Sequence, residues 1–171
     1  MNETQTPADG RATTIKKLFS RQTIVSIDIA TPAETVWKLI TDAGKFKTWN
    51  STIVELTGKI ALGERILLRS TLAPERTFNL KVKEFDPHKR LSWGDAMGTR
   101  TFTLTPIAAG GTRFQMSEII GGPIFPLFAR MIPPFDNSFN QFARELKSAA
   151  EENAYCLIIP RKLARKTVLS N

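Results

Sequence analysis

Pro133-Pro134-Phe135-Asp136-Asn137-Ser138-Phe139-Asn140-Gln141-Phe142-Ala143-Arg144-Glu145-Leu146, near the C-terminal end, is the stretch that decides the fold. Phe135, Phe139, Phe142 and Leu146 recur at steps of four, three and four, the spacing of one face of an α-helix. Pro134 suits the first turn, and the helix is expected to run to about Glu152. What precedes it reads as short strands. A single greasy helix after an antiparallel sheet leaves the sheet one partner to pack against. Function then turns on whether the two close tightly or leave a cavity.

Working back from the helix, residues 126–132 suggest a short helical piece, and Gly121-Gly122-Pro123 ends a strand region. Strands are expected near residues 53–57, 65–72, 77–85, 90–94, 99–105 and 112–120, separated by turn signals. No intervening segment is long enough for a crossover helix, so neighbours should be antiparallel. Further back, Val25, Ile27 and Ile29 alternate with Ser26 and Asp28, a half-buried strand. Thr31-Pro32-Ala33-Glu34 then has the look of a helix start, with Thr31 as cap and Glu34 as the capping-box acid. Val36, Trp37, Leu39 and Ile40 follow at helical spacing, and residues 45–49 suggest a second short helix. The expected domains are an N-terminal tail (1–21), a ligand-binding body (22–153) and a basic C-terminal extension (154–171).

The chain has 171 residues, 42% apolar and 23% charged, which suits one soluble domain with a single core. No secretory signal is visible. Residues 119–129 are greasy but broken by Gly121, Gly122, Pro123 and Pro126, and fall short of the about 20 apolar residues that a bilayer span needs. A cytoplasmic location is the expectation. Cys156 is the only cysteine, so no internal disulfide can form. The net charge is +8. Arg161, Lys162, Arg165 and Lys166 stand without an acid, and Arg11, Lys16, Lys17 and Arg21 face only Glu3 and Asp9. The ends therefore hold most of the charge, which argues against a nucleic-acid-binding face. It leaves a weak membrane-surface contact to the basic tail, whose greasy Cys156, Leu157, Ile158 and Ile159 also admit pairing with a second copy as a homodimer.

Several stretches carry a resemblance. They are Ile27 through Trp37, Thr41-Asp42, Trp49-Asn50, Phe85-Asp86-Pro87, Leu91-Ser92-Trp93, and Gly110-Gly111-Thr112-Arg113-Phe114 with Glu118. On these the chain resembles the polyketide cyclase/dehydratase and lipid-transport superfamily, START and Bet v 1-like. The resemblance covers about residues 23–152. It implies an α+β helix-grip fold: a seven-stranded curved antiparallel sheet around a long C-terminal helix, with two short helices after the first strand. The fold hosts carriers, receptors and cyclases, so it does not fix an activity.

The strands at 99–105 and 112–118 should form a hairpin pairing Leu104 with Phe114, Phe102 with Met116, and Arg100 with Glu118. The apolar four mark the concave face, and alternation puts Arg100 and Glu118 there too. Opposite charges directly across a ladder attract. The pair is expected either as a polar anchor in a greasy pocket or as a salt bridge at the rim. Phe78, Leu80, Trp93, Phe102, Phe114 and Met116 make the expected sheet lining, and Phe135, Phe139 and Phe142 the helix lining, with core packing as the competing role. Trp37 and Trp49 belong to the early helices. His88 sits in a turn with no catalytic partner. No metal set, phosphate loop or nucleophile elbow is present, so no cofactor and no metal are expected.

The function expected is binding of a hydrophobic small molecule, a lipid, quinone, isoprenoid or polyketide-like compound, in an internal cavity. The alternative is a cyclase, dehydratase or hydrolase on a polyketide-like substrate with Glu118 as general acid or base. Polar pocket side chains for such chemistry are few: Glu118, Arg100, Ser70 and Asp95.

Overall fold

The computed structural model describes residues 7–158. The strands are β1 (Thr13–Lys17), β2 (Ser20–Ile29), β3 (Ile53–Gly58), β4 (Arg65–Ser70), β5 (Phe78–Asp86), β6 (Arg90–Gly94), β7 (Gly98–Pro106) and β8 (Thr112–Gly121). The helices are α1 (Ala33–Thr41), α2 (Phe46–Trp49), α3 (Phe125–Phe128) and α4 (Asp136–Ile158). All strands form one antiparallel sheet in the order β1-β2-β8-β7-β6-β5-β4-β3. The sheet curves around α4, an α+β helix-grip architecture.

The sheet has eight strands rather than seven. The additional strand is β1, inside the segment expected as an N-terminal tail. It is a polar edge strand, mostly exposed, so it carries no apolar alternation to announce it. Side-chain bonds hold it. The Thr14 hydroxyl donates to both carboxylate oxygens of Asp136 (3.0 and 3.1 Å), and Ala12 N–H donates to Asn140 Oδ1, both acceptors on α4.

Two helix boundaries also differ. Thr31 does not cap α1. Its hydroxyl has no partner, its carbonyl accepts from Thr112 Oγ1 at 2.7 Å, and Glu34 pairs with Lys38 one turn on. The helix α4 begins at Asp136, an acid suited to a helix N-terminus, and runs past Glu152 to Ile158. Of the expected C-terminal extension, residues 159–171 lie outside the described residues.

The β7–β8 register matches the expectation: Arg100 opposite Glu118, Phe102 opposite Met116, Leu104 opposite Phe114. On α4, Phe139, Phe142, Ala143, Leu146 and Ala150 are all buried. Phe142 sits at the hub of an aromatic cluster, with ring centroids 5.3 Å from Trp49, 5.9 Å from Phe102, 6.1 Å from Phe114 and 6.4 Å from Phe46. Geometries of this kind each add about 0.5–1.5 kcal/mol beyond burial. The middle of the trough is therefore solid. Among the described residues, a cavity remains toward the N-terminal end of α4.

Candidate functional site

There the wall of the sheet and the segment between β8 and α4 enclose a cavity of about 510 Å³, within the range of small-molecule sites. Phe78, Leu80 and Leu68 come from β4 and β5, Trp93 from β6, and Ile120 from β8. Phe128, Met131, Ile132, Pro133 and Phe135 close the opposite side.

Four charged residues border it: Arg100 and Glu118 as a pair, Asp95 in the β6–β7 turn, and the exposed Arg76, whose guanidinium lies over the Phe78 ring. The side chains of Arg100 and Glu118 are 16% and 17% exposed. Arg100 Nε and Nη2 both donate to Glu118 Oε2, the first at 2.7 Å. The guanidinium also lies over the Phe139 ring, 5.2 Å from its centroid. Charge pairing and cation–π contact together fix the pair in a largely desolvated place. Among the described residues, Glu118 Oε1 and Arg100 Nη1 have no hydrogen-bond partner. One acceptor and one donor thus remain side by side.

Of the expected lining, Phe78, Leu80, Trp93, Arg100, Glu118 and Phe135 border the cavity. Phe102, Phe114, Met116, Phe139 and Phe142 do not. They are at most 1% exposed and fill the core beside it. Ser70 and Asp95 both line the cavity. Asp95 Oδ1 accepts from the N–H groups of Met97 (2.7 Å) and Gly98 (2.9 Å), so it shapes the β6–β7 turn. A Cβ at Gly94 would stand 2.1 Å from Gly98 O, which reserves that turn for glycine. His88 is exposed and lies edge-on to Trp37 at 6.1 Å, away from the cavity. Trp37 and Trp49 pack in or against the core and do not line it.

Sequence reasoning missed Leu68, Leu72, Ala73, Arg76 and Met97, and Phe128, Met131, Ile132 and Pro133 from the segment before α4. Ile120 follows by alternation from Glu118. The 128–133 run lacks any period because Pro126, Pro133 and Pro134 break it. Arg21 was missed as well. Its Nη1 donates to Ile132 O at 3.1 Å and its Nη2 to Pro133 O at 2.7 Å, and it stacks 4.9 Å over Phe135. Burial draws its guanidinium below the usual arginine value, with Asp136 and Glu118 opposing. Arg21 thereby pins the segment that closes the cavity. Among the described residues, no cluster of His, Cys, Asp and Glu could hold a metal ion, and no helix is long and apolar enough to cross a membrane.

Residues 21–151 match the family described as polyketide cyclase / dehydrase and lipid transport, and the chain belongs to that family. None of the curated proteins matches it. Solved structures share the fold. A Mesorhizobium loti protein is 23% identical with a TM-score of 0.60, covering 77% of this chain and 98% of its own. A Nitrosomonas europaea protein is 16% identical with a TM-score of 0.61, covering 82% and 99%. A protein of the dynemicin biosynthetic locus is 18% identical with a TM-score of 0.58, covering 77% of this chain and 48% of the other.

Proposed function

We propose that the protein binds an apolar small molecule bearing one terminal oxygen group, and holds it without chemical change. The observation that carries this reading is the cavity: mostly apolar walls, an Arg100–Glu118 ion pair held against them, Asp95 tied up in its own turn, and Arg76 exposed over Phe78. Apolar burial supplies the affinity. Glu118 Oε1 and Arg100 Nη1 supply orientation, because an acceptor beside a donor suits a hydroxyl, an enol or a carboxylic acid. A fatty acid, a prenyl alcohol or a polyketide-like enol meets this description, and a quinone meets only its donor half, at Arg100 Nη1.

Catalysis has less support. A general acid or base needs a proton-transfer partner within reach of substrate, and Glu118 is already committed to Arg100 through Oε2. The test combines native mass spectrometry of freshly purified protein with displacement of a fluorescent fatty acid by a panel of lipids, quinones and prenyl alcohols. A co-purifying ligand, or saturable displacement, is expected. Glu118→Gln should keep affinity within about tenfold while changing which oxygen group is preferred. No ligand by either method would end the binding reading. Turnover of a polyketide-like substrate that Glu118→Gln abolishes would replace it with the enzyme.

A further inference from the structure

The rim of the cavity carries apolar surface that the core does not use. Leu127 is 86%, Met131 82% and Leu18 74% exposed, and Phe19 and Ile124 are more than half exposed. The backbone gathers these residues into one lip. Ser20 pairs with Gly121, and Gly122 N–H donates to Phe19 O at 3.0 Å, which ties the β1–β2 turn to the segment after β8. That segment also gives Phe128 and Met131 to the cavity wall. Phe125 turns inward, 4% exposed, with its ring edge-on to Phe128 at 5.7 Å, while Leu127 on the same helical turn stays in water. Single exposed apolar residues are ordinary, but a cluster at a cavity mouth marks an interaction surface.

The charge on the lip's own segments has one sign. Lys16, Lys17 and Arg130 are exposed, and none has an acidic partner among the described residues. No Asp or Glu occurs between residues 10 and 27 or between residues 119 and 135. Apolar tips ringed by cations match the layered chemistry of a bilayer, phosphate outside and acyl chain within.

We propose that this lip docks on the surface of an anionic phospholipid bilayer. Leu18, Phe19, Ile124, Leu127 and Met131 enter the headgroup boundary, and Lys16, Lys17 and Arg130 meet the phosphates. The docking stands without any cavity ligand. If the binding reading above also holds, the mouth faces the bilayer and an apolar ligand passes between the two without crossing water.

The test is sedimentation of the full chain with vesicles of phosphatidylcholine alone or mixed with phosphatidylglycerol. The protein is expected to sediment with the mixed vesicles and to be released by high salt, which screens exposed charges. Leu18→Asp combined with Leu127→Asp should lower partitioning by about tenfold or more. These side chains lie outside the core and the cavity wall, so the fold is retained. Wild type that fails to sediment would overturn the proposal. So would a double variant that sediments like wild type, since the basic chain end would then be responsible. Sedimentation equilibrium supplies the other arm. A dimer that the double variant dissociates, with no vesicle binding, would reassign the lip to a second copy of the chain. Lost ligand binding with intact vesicle binding would sink the ligand reading alone.

Discussion

Phe142 and Phe135 lie on the same stripe of α4 and do different work. Phe142 is 1% exposed amid Trp49, Phe102 and Phe114, so its removal leaves a hole that rigid aromatic neighbours cannot fill. Phe142→Ala should cost about 3–5 kcal/mol of unfolding free energy. Phe135 is half-buried, stacked on Phe139 at 6.0 Å, and borders space that is already empty. Phe135→Ala should cost clearly less, about 1–2 kcal/mol, and enlarge the cavity. Urea denaturation of both variants checks the difference, and equal losses would contradict the division of the stripe into core and cavity wall. Spacing identified all four apolar positions but not this division. Periodicity reports which residues face the sheet. It does not report how far the sheet stands off at each one, which depends on the width of the trough. The Arg100–Glu118 pair was legible for the opposite reason: alternation about a tight hairpin fixes both face and partner, and nothing more distant is needed.

At the scale of elements, the segment between β8 and α4 is held at few points. Arg21 supplies two hydrogen bonds to its end, at Ile132 O and Pro133 O, and the buried Phe125 anchors its start. Between them Leu127 and Met131 remain exposed. Arg21→Gln should therefore loosen residues 129–135 while leaving the sheet intact, because β2 keeps its ladder to β8. Hydrogen exchange followed by mass spectrometry reads this as faster exchange confined to that segment. Uniform acceleration across β2 and β8 would show that Arg21 serves the sheet instead. This element and β1 were the parts hardest to read in the sequence. Strands with one wet face declare themselves by alternation, as Phe78, Leu80 and Val82 do. The edge strand β1 is mostly solvated and is held by Thr14 and Ala12 contacts to α4 that are more than a hundred residues away in the chain. Long-range side-chain bonds leave no local period.

Across the whole molecule, the C-terminal half of α4 is clamped to the end of β2, while its N-terminal end is tied to β1 through Asp136 and Asn140 and stands off β4 to β7 around the cavity. At the closed end Arg113 Nε and Nη2 donate to the two Asp28 carboxylate oxygens at 2.7 and 2.8 Å, across β2 and β8. Glu151 Oε1 accepts from Ala30 N–H at 2.9 Å and from Lys147 Nζ at 2.7 Å, and the same Nζ donates to Asp28 O at 2.7 Å. The C-terminal half of α4 is thus fastened to the end of β2, and the cavity lies at the other end, where α4 begins. Both carboxyls sit below their usual range. The Arg113 hydrogen bond lowers Asp28, while burial of Glu151 opposes a larger combined effect of Ala30 N–H and Lys147. A carboxyl lowered in the folded state adds stability above its unfolded pKa, about 4, and gives that stability up as pH falls through the folded value. Stability due to the clamp should therefore be level from pH 7 to about 5 and decline below about 4. Asp28→Asn with Glu151→Gln should be less stable than wild type at pH 7 and lose less on acidification, so the two curves converge at low pH. Urea midpoints across a pH series measure this, and parallel curves would remove the clamp from the acid response. Because the clamp and the cavity lie at opposite ends of α4, the double variant should lower stability while leaving displacement of the fluorescent fatty acid unchanged at pH 7.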